Sequence, residues 1–131
     1  MGSRARVLAG VLVVGVMAAG AAGCKSGGTT SPTPPPNPAT TITITSSGVS
    51  PRSLTVSRGG QVTFVNNDSR SHQMNSDPHP NHGECPELDQ VGFLSPGTSR
   101  TSGNLNNPRT CGYHDHNDNT NTTLQGTITI Q

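Results

Sequence analysis

Short runs in which Thr alternates with apolar residues limit this chain to a sheet-based fold. The first run is Thr41–Thr45 and the last is Thr127–Ile130, and both alternate Thr with Ile. Between them lie Leu54–Val56 and Val62–Val65, each preceded by a turn that contains proline or glycine. Alternation with a period of two predicts strands that bury one face, and no helical period occurs in this part of the sequence. We therefore expect an all-β domain, a Greek-key β-sandwich whose terminal strand pairs back onto a sheet.

The predicted domain has few large apolar side chains with which to form a core. The sequence of 131 residues contains two Phe, one Tyr and no Trp, and we expect only roughly ninety residues to fold, near the low end for a self-sufficient domain. A disulfide or a bound metal ion would compensate for the missing apolar burial. The net charge of +1 and the absence of a basic run exclude the surface that a nucleic-acid-binding protein needs.

The beginning of the chain has the composition of an export signal. Arg4 and Arg6 precede the apolar run Val7–Ala22, which is too short and too rich in small residues to predict a membrane span. The residues Ala21–Gly23, directly before Cys24, resemble a bacterial lipobox, in which the Cys carries lipid after cleavage.

This pattern divides the chain into three predicted segments. We predict that residues 1–23 are a cleaved lipoprotein signal peptide and that residues 24–40 are the lipidated Cys24 with a tether rich in Pro, Thr and Ser. Residues 41–131 are then the folded domain. The expected location is extracytoplasmic, in the periplasm or at the cell surface, with the protein anchored to the membrane by lipid.

All five histidines lie in two short segments of the predicted domain. One segment contains His72, His79 and His82, and the other contains His114 and His116. In an extended strand, His114 and His116 would point to the same face, which suits joint chelation. Imidazole nitrogen binds Cu(II), Zn(II) and Ni(II), and copper has the highest affinity of these ions. We therefore expect the histidines to form a copper site.

Five stretches of the predicted domain match, in order and spacing, one known family of β-sandwich proteins. They are Gly48–Pro51, Leu54–Val56, Gly59–Asp68 with the following His72, Leu94–Gly97 and Gly126–Ile130. In this order they resemble a cupredoxin, the plastocyanin-like copper fold. The resemblance covers nearly all of residues 41–131, and it implies bound copper and a protein partner for electron transfer or copper transfer.

Two alignments of the last hairpin with the cupredoxins imply different ligands. In one, Cys111 and His114 form the Cys-x-x-His of a blue (type 1) copper site, which His72 completes without an axial Met. In the other, Tyr113–His116 (YHDH) and Ser76–His82 (SDPHPNH) resemble a bacterial cupredoxin-like branch. The second alignment implies a site made of imidazoles, without a thiolate.

The cysteine count favours the imidazole site. Once Cys24 carries lipid, Cys85 and Cys111 are the two remaining thiols, and an even number of thiols in an exported protein predicts a disulfide. A paired Cys111 cannot bind copper as a thiolate. We therefore favour ligands drawn from the five histidines and keep Cys111 as the alternative ligand.

Four other residues near the histidines have predicted roles other than metal binding. Asp77 and Asp115 either accept hydrogen bonds that fix imidazole tautomers or bond to their own backbone in turns. Met74 and Tyr113 are expected to pack in the core.

Several functions agree with these features. The first is a membrane-anchored copper-binding protein, not an enzyme, that acts in copper handling or as a redox partner. The second is an electron-transfer protein with a blue copper site. Copper-dependent superoxide chemistry and a metal-free surface module are the remaining alternatives.

Overall fold

The computed structural model describes residues 40–131, the part of the chain in which the folded domain is predicted. The predicted signal peptide, Cys24 and nearly all of the tether lie outside the described residues. Within residues 40–131, no helix has the length and apolar character needed to cross a membrane.

The described residues form nine β-strands and no α-helix. The strands are β1 (Thr41–Thr45), β2 (Gly48–Ser50), β3 (Ser53–Val56), β4 (Thr63–Asn66), β5 (His72–Ser76), β6 (Gly92–Leu94), β7 (Ser99–Thr101), β8 (Arg109–Asp115) and β9 (Gly126–Ile130). Short 3-10 helices occur at Leu88–Gln90, His116–Asp118 and Thr122–Leu124.

The strands form two mixed sheets. One has the order β2-β1-β4-β7 and the other has the order β3-β9-β8-β5-β6. β1 pairs parallel with β4 and β3 pairs parallel with β9, whereas the other neighbouring strands are antiparallel. The terminal strand β9 is paired with both β3 and β8. The predicted all-β Greek-key sandwich, with its terminal strand paired into a sheet, is confirmed.

The core lies between the two sheets because alternate strand residues point inward. Ile42 and Ile44 of β1 and Ile128 of β9 are fully buried, and burial of one such side chain contributes about 1.5–3 kcal/mol. Tyr113 of β8 packs edge-on against Phe64 of β4, with the ring centroids 5.2 Å apart. This aromatic pair joins the two sheets, and its edge-to-face geometry is the favourable one for aromatic rings.

The pairing of β5 with β8 determines where the histidine segments meet. Ser76, the last residue of β5, lies opposite Tyr113. The chain therefore leaves β5 beside the middle of β8, and the N–H of Asp77 donates a hydrogen bond of 3.1 Å to the carbonyl of Gly112. This register places the start of the loop after β5 beside Gly112, in the middle of β8.

A disulfide joins the same two regions a second time. Cys85, which follows the loop after β5, is bonded to Cys111 of β8, with the Cα atoms 5.9 Å apart. Both residues are fully buried in the core. This is the pairing that the cysteine count predicts.

Candidate metal centre

His114 is the most enclosed of the clustered histidines. It lies near the end of β8, and its side chain is 3% exposed. Its Nδ1 atom is 2.6 Å from Oδ1 of Asp77. Since a carboxylate only accepts hydrogen bonds, Nδ1 carries the hydrogen and Nε2 keeps the lone pair that a metal ion needs.

Gly112 makes room for the Asp77 side chain. A Cβ atom at position 112 would collide with the Asp77 carboxylate. Glycine weakens a strand interior and often marks a close approach of another group. At Gly112 that group is the carboxylate that orients His114.

The Nε2 atom of His114 has no hydrogen-bond partner. Within residues 40–131, it is the only buried side-chain nitrogen or oxygen without one. A buried polar atom left unsatisfied costs about 1–3 kcal/mol. A metal ion bound to this nitrogen would remove that cost.

Three more imidazoles lie around His114. The ring centroids of His79 and His82 are 5.5 Å and 5.2 Å from that of His114. The ring of His116 is 4.8 Å from that of His79 and 4.9 Å from that of His82. One ligand atom from each of the four residues lies within 4.8 Å of the others. The structure thus brings together four of the five histidines that the sequence predicts as ligands.

The ligand loop, residues 77–84, is held against both neighbouring strands. Oε2 of Glu84 accepts a hydrogen bond of 2.7 Å from the N–H of Gly112, and the Ser76 hydroxyl donates one of 2.8 Å to the carbonyl of His82. His82 has a φ of 49°, in the left-handed region that costs energy for a residue with a Cβ. Such a conformation persists where the surrounding contacts hold it, as these two hydrogen bonds do.

Two of the clustered histidines have lowered pKa values. Desolvation lowers the pKa of His79, and the neighbouring His116 and His114 lower it further. Desolvation also lowers the pKa of His82, where the carboxylate of Asp89 acts in the opposite direction and the other three imidazoles add to the decrease. Both rings therefore remain neutral, the form that binds metal, to a lower pH than an isolated histidine does.

His72 is expected among the ligands but lies outside the cluster of four histidines. Its Nδ1 is 2.7 Å from Oδ2 of Asp115 and its Nε2 is 3.2 Å from Oδ2 of Asp68. Carboxylate oxygens are therefore the partners of both ring nitrogens of His72. Burial acts to raise the pKa of Asp68, but hydrogen bonds from His72, the Ser69 N–H and Arg70 lower that pKa overall.

His116 reaches the cluster from a turn and not from a strand. β8 ends at Asp115, whose side chain accepts a hydrogen bond of 3.1 Å from the N–H of Asn117 and caps the 3-10 helix that follows. The prediction that His114 and His116 share one strand face is therefore wrong. The turn brings Nδ1 of His116 to 3.1 Å from Nε2 of His82.

The other residues near the cluster lie in the core. Cys111 is bonded to Cys85, so its sulfur is not a thiolate in this structure. Met74 and Tyr113 are buried, as predicted. Burial raises the pKa of the Tyr113 phenol well above its usual range, so this residue stays neutral.

The donor set of the cluster is four imidazole nitrogens without sulfur. Such a set suits Cu(II), Zn(II) and Ni(II). The contributions of Glu84 and Gly112 were not identified from the sequence. A glycine inside a predicted strand was the available signal for Gly112, whereas no local pattern distinguishes Glu84 from any other loop carboxylate.

Comparison with known proteins identifies the fold. No protein-family model and no curated protein matches the chain. Among solved structures, the oxidised form of plastocyanin from Dryopteris crassirhizoma is 22% identical, with a TM-score of 0.54 over 70% of this chain and 99% of that chain. A purple cupredoxin from Nitrosopumilus maritimus is 19% identical, with a TM-score of 0.51 over 70% of this chain and 98% of that chain. A Cu(I) form of an amicyanin mutant is 15% identical, with a TM-score of 0.57 over 75% of this chain and 87% of that chain. The chain therefore has a cupredoxin-like fold.

Proposed function

We propose that this cupredoxin-like chain is an exported copper-binding protein, held at the membrane by a lipid on Cys24. It holds one copper ion through His79, His82, His114 and His116, and it acts in copper handling or as a redox partner of another protein. The observation that carries the proposal is the buried, unpartnered Nε2 of His114 within a group of four imidazoles whose ligand atoms lie within 4.8 Å of one another.

Copper is the metal that this donor set supports best. Neutral imidazoles bind copper more tightly than zinc or nickel. Structures with the same fold include a Cu(I) form of amicyanin and an oxidised form of plastocyanin, although these similarities concern the fold and not the ligands. When bound, copper supplies a one-electron change between Cu(II) and Cu(I).

The residues of the chain prepare the site for such an ion. Asp77 keeps the hydrogen of His114 on Nδ1, 2.6 Å away. The contacts of Glu84 with Gly112 and of Ser76 with His82 hold the ligand loop against β8 and β5. The lowered pKa values of His79 and His82 keep these two rings in the metal-binding form.

Two observations oppose a blue copper site made of His72, Cys111 and His114. The sulfur of Cys111 is part of a disulfide, and the ring nitrogens of His72 contact Asp115 and Asp68. The proposed role is that of a binding protein and not of an enzyme, so copper-dependent superoxide chemistry is not part of it.

The test is a visible spectrum of the copper-loaded domain together with metal analysis and a free-thiol count. We expect one copper per chain in protein purified without an affinity tag, a pale Cu(II) spectrum and no titratable thiol. The matched variant His114→Gln should lose most of the copper. An intense thiolate-to-copper band with a free thiol would favour His72, Cys111 and His114 instead, and protein without any metal affinity would favour a metal-free surface module.

A further inference from the structure

Beside the proposed copper site lies a second histidine centre, formed by His72 and two carboxylates. The His72 side chain is 1% exposed, and those of Asp68 and Asp115 are 2% and 3% exposed. The imidazole bridges the carboxylates, with Nδ1 2.7 Å from Asp115 and Nε2 3.2 Å from Asp68. Both ring nitrogens therefore have carboxylate partners, which tie His72 to Asp115 and Asp68 and not to the four clustered imidazoles.

Asp115 connects this buried pair to the proposed copper ligand His116. One oxygen of Asp115 contacts His72, and the other accepts hydrogen bonds of 3.0 Å from the N–H of Gln73 and 3.1 Å from the N–H of Asn117. The bond to Asn117 caps the 3-10 helix that begins at His116. The position of the Asp115 carboxylate therefore determines where the chain leaves β8. It thereby also determines where the backbone of His116 lies.

Asp68 fixes the other end of the imidazole. Its Oδ1 accepts a hydrogen bond of 2.6 Å from the N–H of Ser69, and its Oδ2 lies 3.2 Å from Nε of Arg70. The N–H of Asp68 itself donates to the side chain of Asn66 at 2.9 Å. The His72 ring is therefore held from both sides, by the turn after β4 and by the end of β8.

We propose that His72 is a positioning residue of the copper site, which acts through Asp115 to place His116 and does not bind the metal itself. The inference rests on the proposed copper site. Removal of the His72 ring leaves Oδ2 of Asp115 without this partner and loosens the turn that carries His116. Mutation of a group that orients a metal ligand in this way typically lowers metal affinity by about 10- to 100-fold.

A double-mutant cycle between His72 and His116 tests this proposal. Copper affinity is measured by competition with a chromophoric chelator for the wild type, His72→Gln, His116→Gln and the double variant. We expect His72→Gln to weaken copper binding about 10- to 100-fold in the wild-type background and to have little effect in the His116→Gln background. Equal losses in the two backgrounds would mean that His72 does not act through His116, and would overturn the proposal.

Pulsed electron paramagnetic resonance of the Cu(II) protein gives a second readout, the number of coordinated imidazoles. This number should be unchanged in His72→Gln and smaller by one in His116→Gln. A loss of one imidazole in His72→Gln would make His72 a ligand and contradict the proposal.

Ser102→Ala is the matched control for a general loss of stability. Ser102 is 2% exposed and accepts a hydrogen bond of 3.0 Å from the N–H of Val62, away from the histidines. Removal of the Ser102 hydroxyl should destabilise the fold and leave copper affinity unchanged. If Ser102→Ala lowered copper affinity as much as His72→Gln does, the effect of His72→Gln would be due to lost stability alone.

A second variant covers the case in which His72→Gln does not fold. Asp115→Asn keeps an oxygen acceptor but removes the carboxylate, and it should show the same coupling to His116. Equal effects of Asp115→Asn with and without His116 would overturn the proposal. If the wild type binds no copper, the proposed function is wrong. If the wild type binds copper but His72 and His116 are not coupled, only the present inference is wrong.

Discussion

The carboxylate of Asp77 determines which nitrogen of His114 is available to a metal ion. Oδ1 of Asp77 is 2.6 Å from Nδ1 of His114, and Nε2 has no other partner. A carboxylate in this position also fixes the orientation of the imidazole ring. At the scale of single residues, the proposed site therefore depends on Asp77 as well as on the four imidazoles.

Asp77→Asn should weaken copper binding by about 10- to 100-fold, because the amide loses the charge that orients and polarises the ring. The measurement is competition with a chromophoric chelator. Glu87→Gln is the control, since Glu87 is paired with Arg109 at 2.6 Å and contacts no histidine. If both variants bind copper as the wild type does, Asp77 does not have this role.

Gly112→Ala should reproduce the Asp77→Asn defect without removing a polar group. The new methyl group would collide with the Asp77 carboxylate and displace it from His114. Gly83→Ala is the matched control within the ligand loop, because a Cβ there meets no atom within 4 Å. Copper affinity should fall in the first variant and remain unchanged in the second, and an equal effect in both would point to the loop backbone instead of Asp77.

Residue types alone predicted a histidine cluster but not the position of His72 outside it. His79, His82 and His114 are brought together by a short loop and an adjacent strand, and the two histidine segments were visible in the sequence. The contact of His72 with Asp115 spans 43 residues and depends on the register between β5 and β8. No local pattern encodes that register, so the sequence placed His72 among the expected ligands and left the role of Asp115 open.

At the scale of elements, β8 and the ligand loop are connected by a backbone hydrogen bond, by the side chain of Glu84 and by the disulfide. Cys85 lies directly after Glu84, and Cys111 lies directly before Gly112. The disulfide therefore anchors the end of the ligand loop to the strand that carries His114.

Replacement of both cysteines, Cys85→Ser with Cys111→Ser, should lower the free energy of unfolding by about 3–4 kcal/mol, the chain-entropy value for a loop of this size. The sequence separation of the bonded residues is 26. Urea unfolding of the metal-free domain measures this change, and copper affinity should also fall because the ligand loop loses its anchor. An unchanged urea midpoint would show that the disulfide contributes nothing to this fold.

The strands differ in how well their sequences predict them. β1 and β9 alternate Thr with Ile, and their buried residues follow that alternation. β5 has the sequence HQMNS, in which four of five residues are polar, and three consecutive residues are buried. It is a strand because its neighbours β8 and β6 pair with it on both sides, which is tertiary information that its own residues do not contain.

At the scale of the whole domain, the histidine cluster makes stability depend on pH. The pKa values of His79 and His82 are lowered from the ordinary value of 6.5. Below pH 6.5, the unfolded chain therefore binds more protons than the folded chain, and stability falls as the pH falls. The decrease ends once the pH is below the folded pKa values, because both states are then protonated.

The metal-free domain should accordingly unfold at a lower urea concentration at about pH 5 than at about pH 7.5. Copper affinity should fall over the same interval, since protons compete for the imidazoles. The double variant His79→Gln, His82→Gln lacks both groups and should show a smaller change of midpoint with pH. An equal change in this variant would assign the pH dependence to other residues.

The proposed membrane location rests on the N-terminal segment of the sequence and is tested separately. We expect the mature protein to begin at Cys24 and to partition with membranes, because the acyl chains supply the binding energy. Intact-mass measurement of the membrane fraction identifies the lipid. Cys24→Ala should release the protein, and a Cys24→Ala protein that still partitions fully with membranes would contradict the lipoprotein prediction.

The four clustered imidazoles differ in exposure: His79 is exposed, His82 and His116 are partly buried, and His114 is buried. A metal ion that approached from solvent would meet His79 first and His114 last, and it would depart in the reverse order. A competing donor on an acceptor molecule could then replace the outer imidazole while the inner ones still held the ion. Such an exchange would proceed one ligand at a time and would not require the sandwich to open.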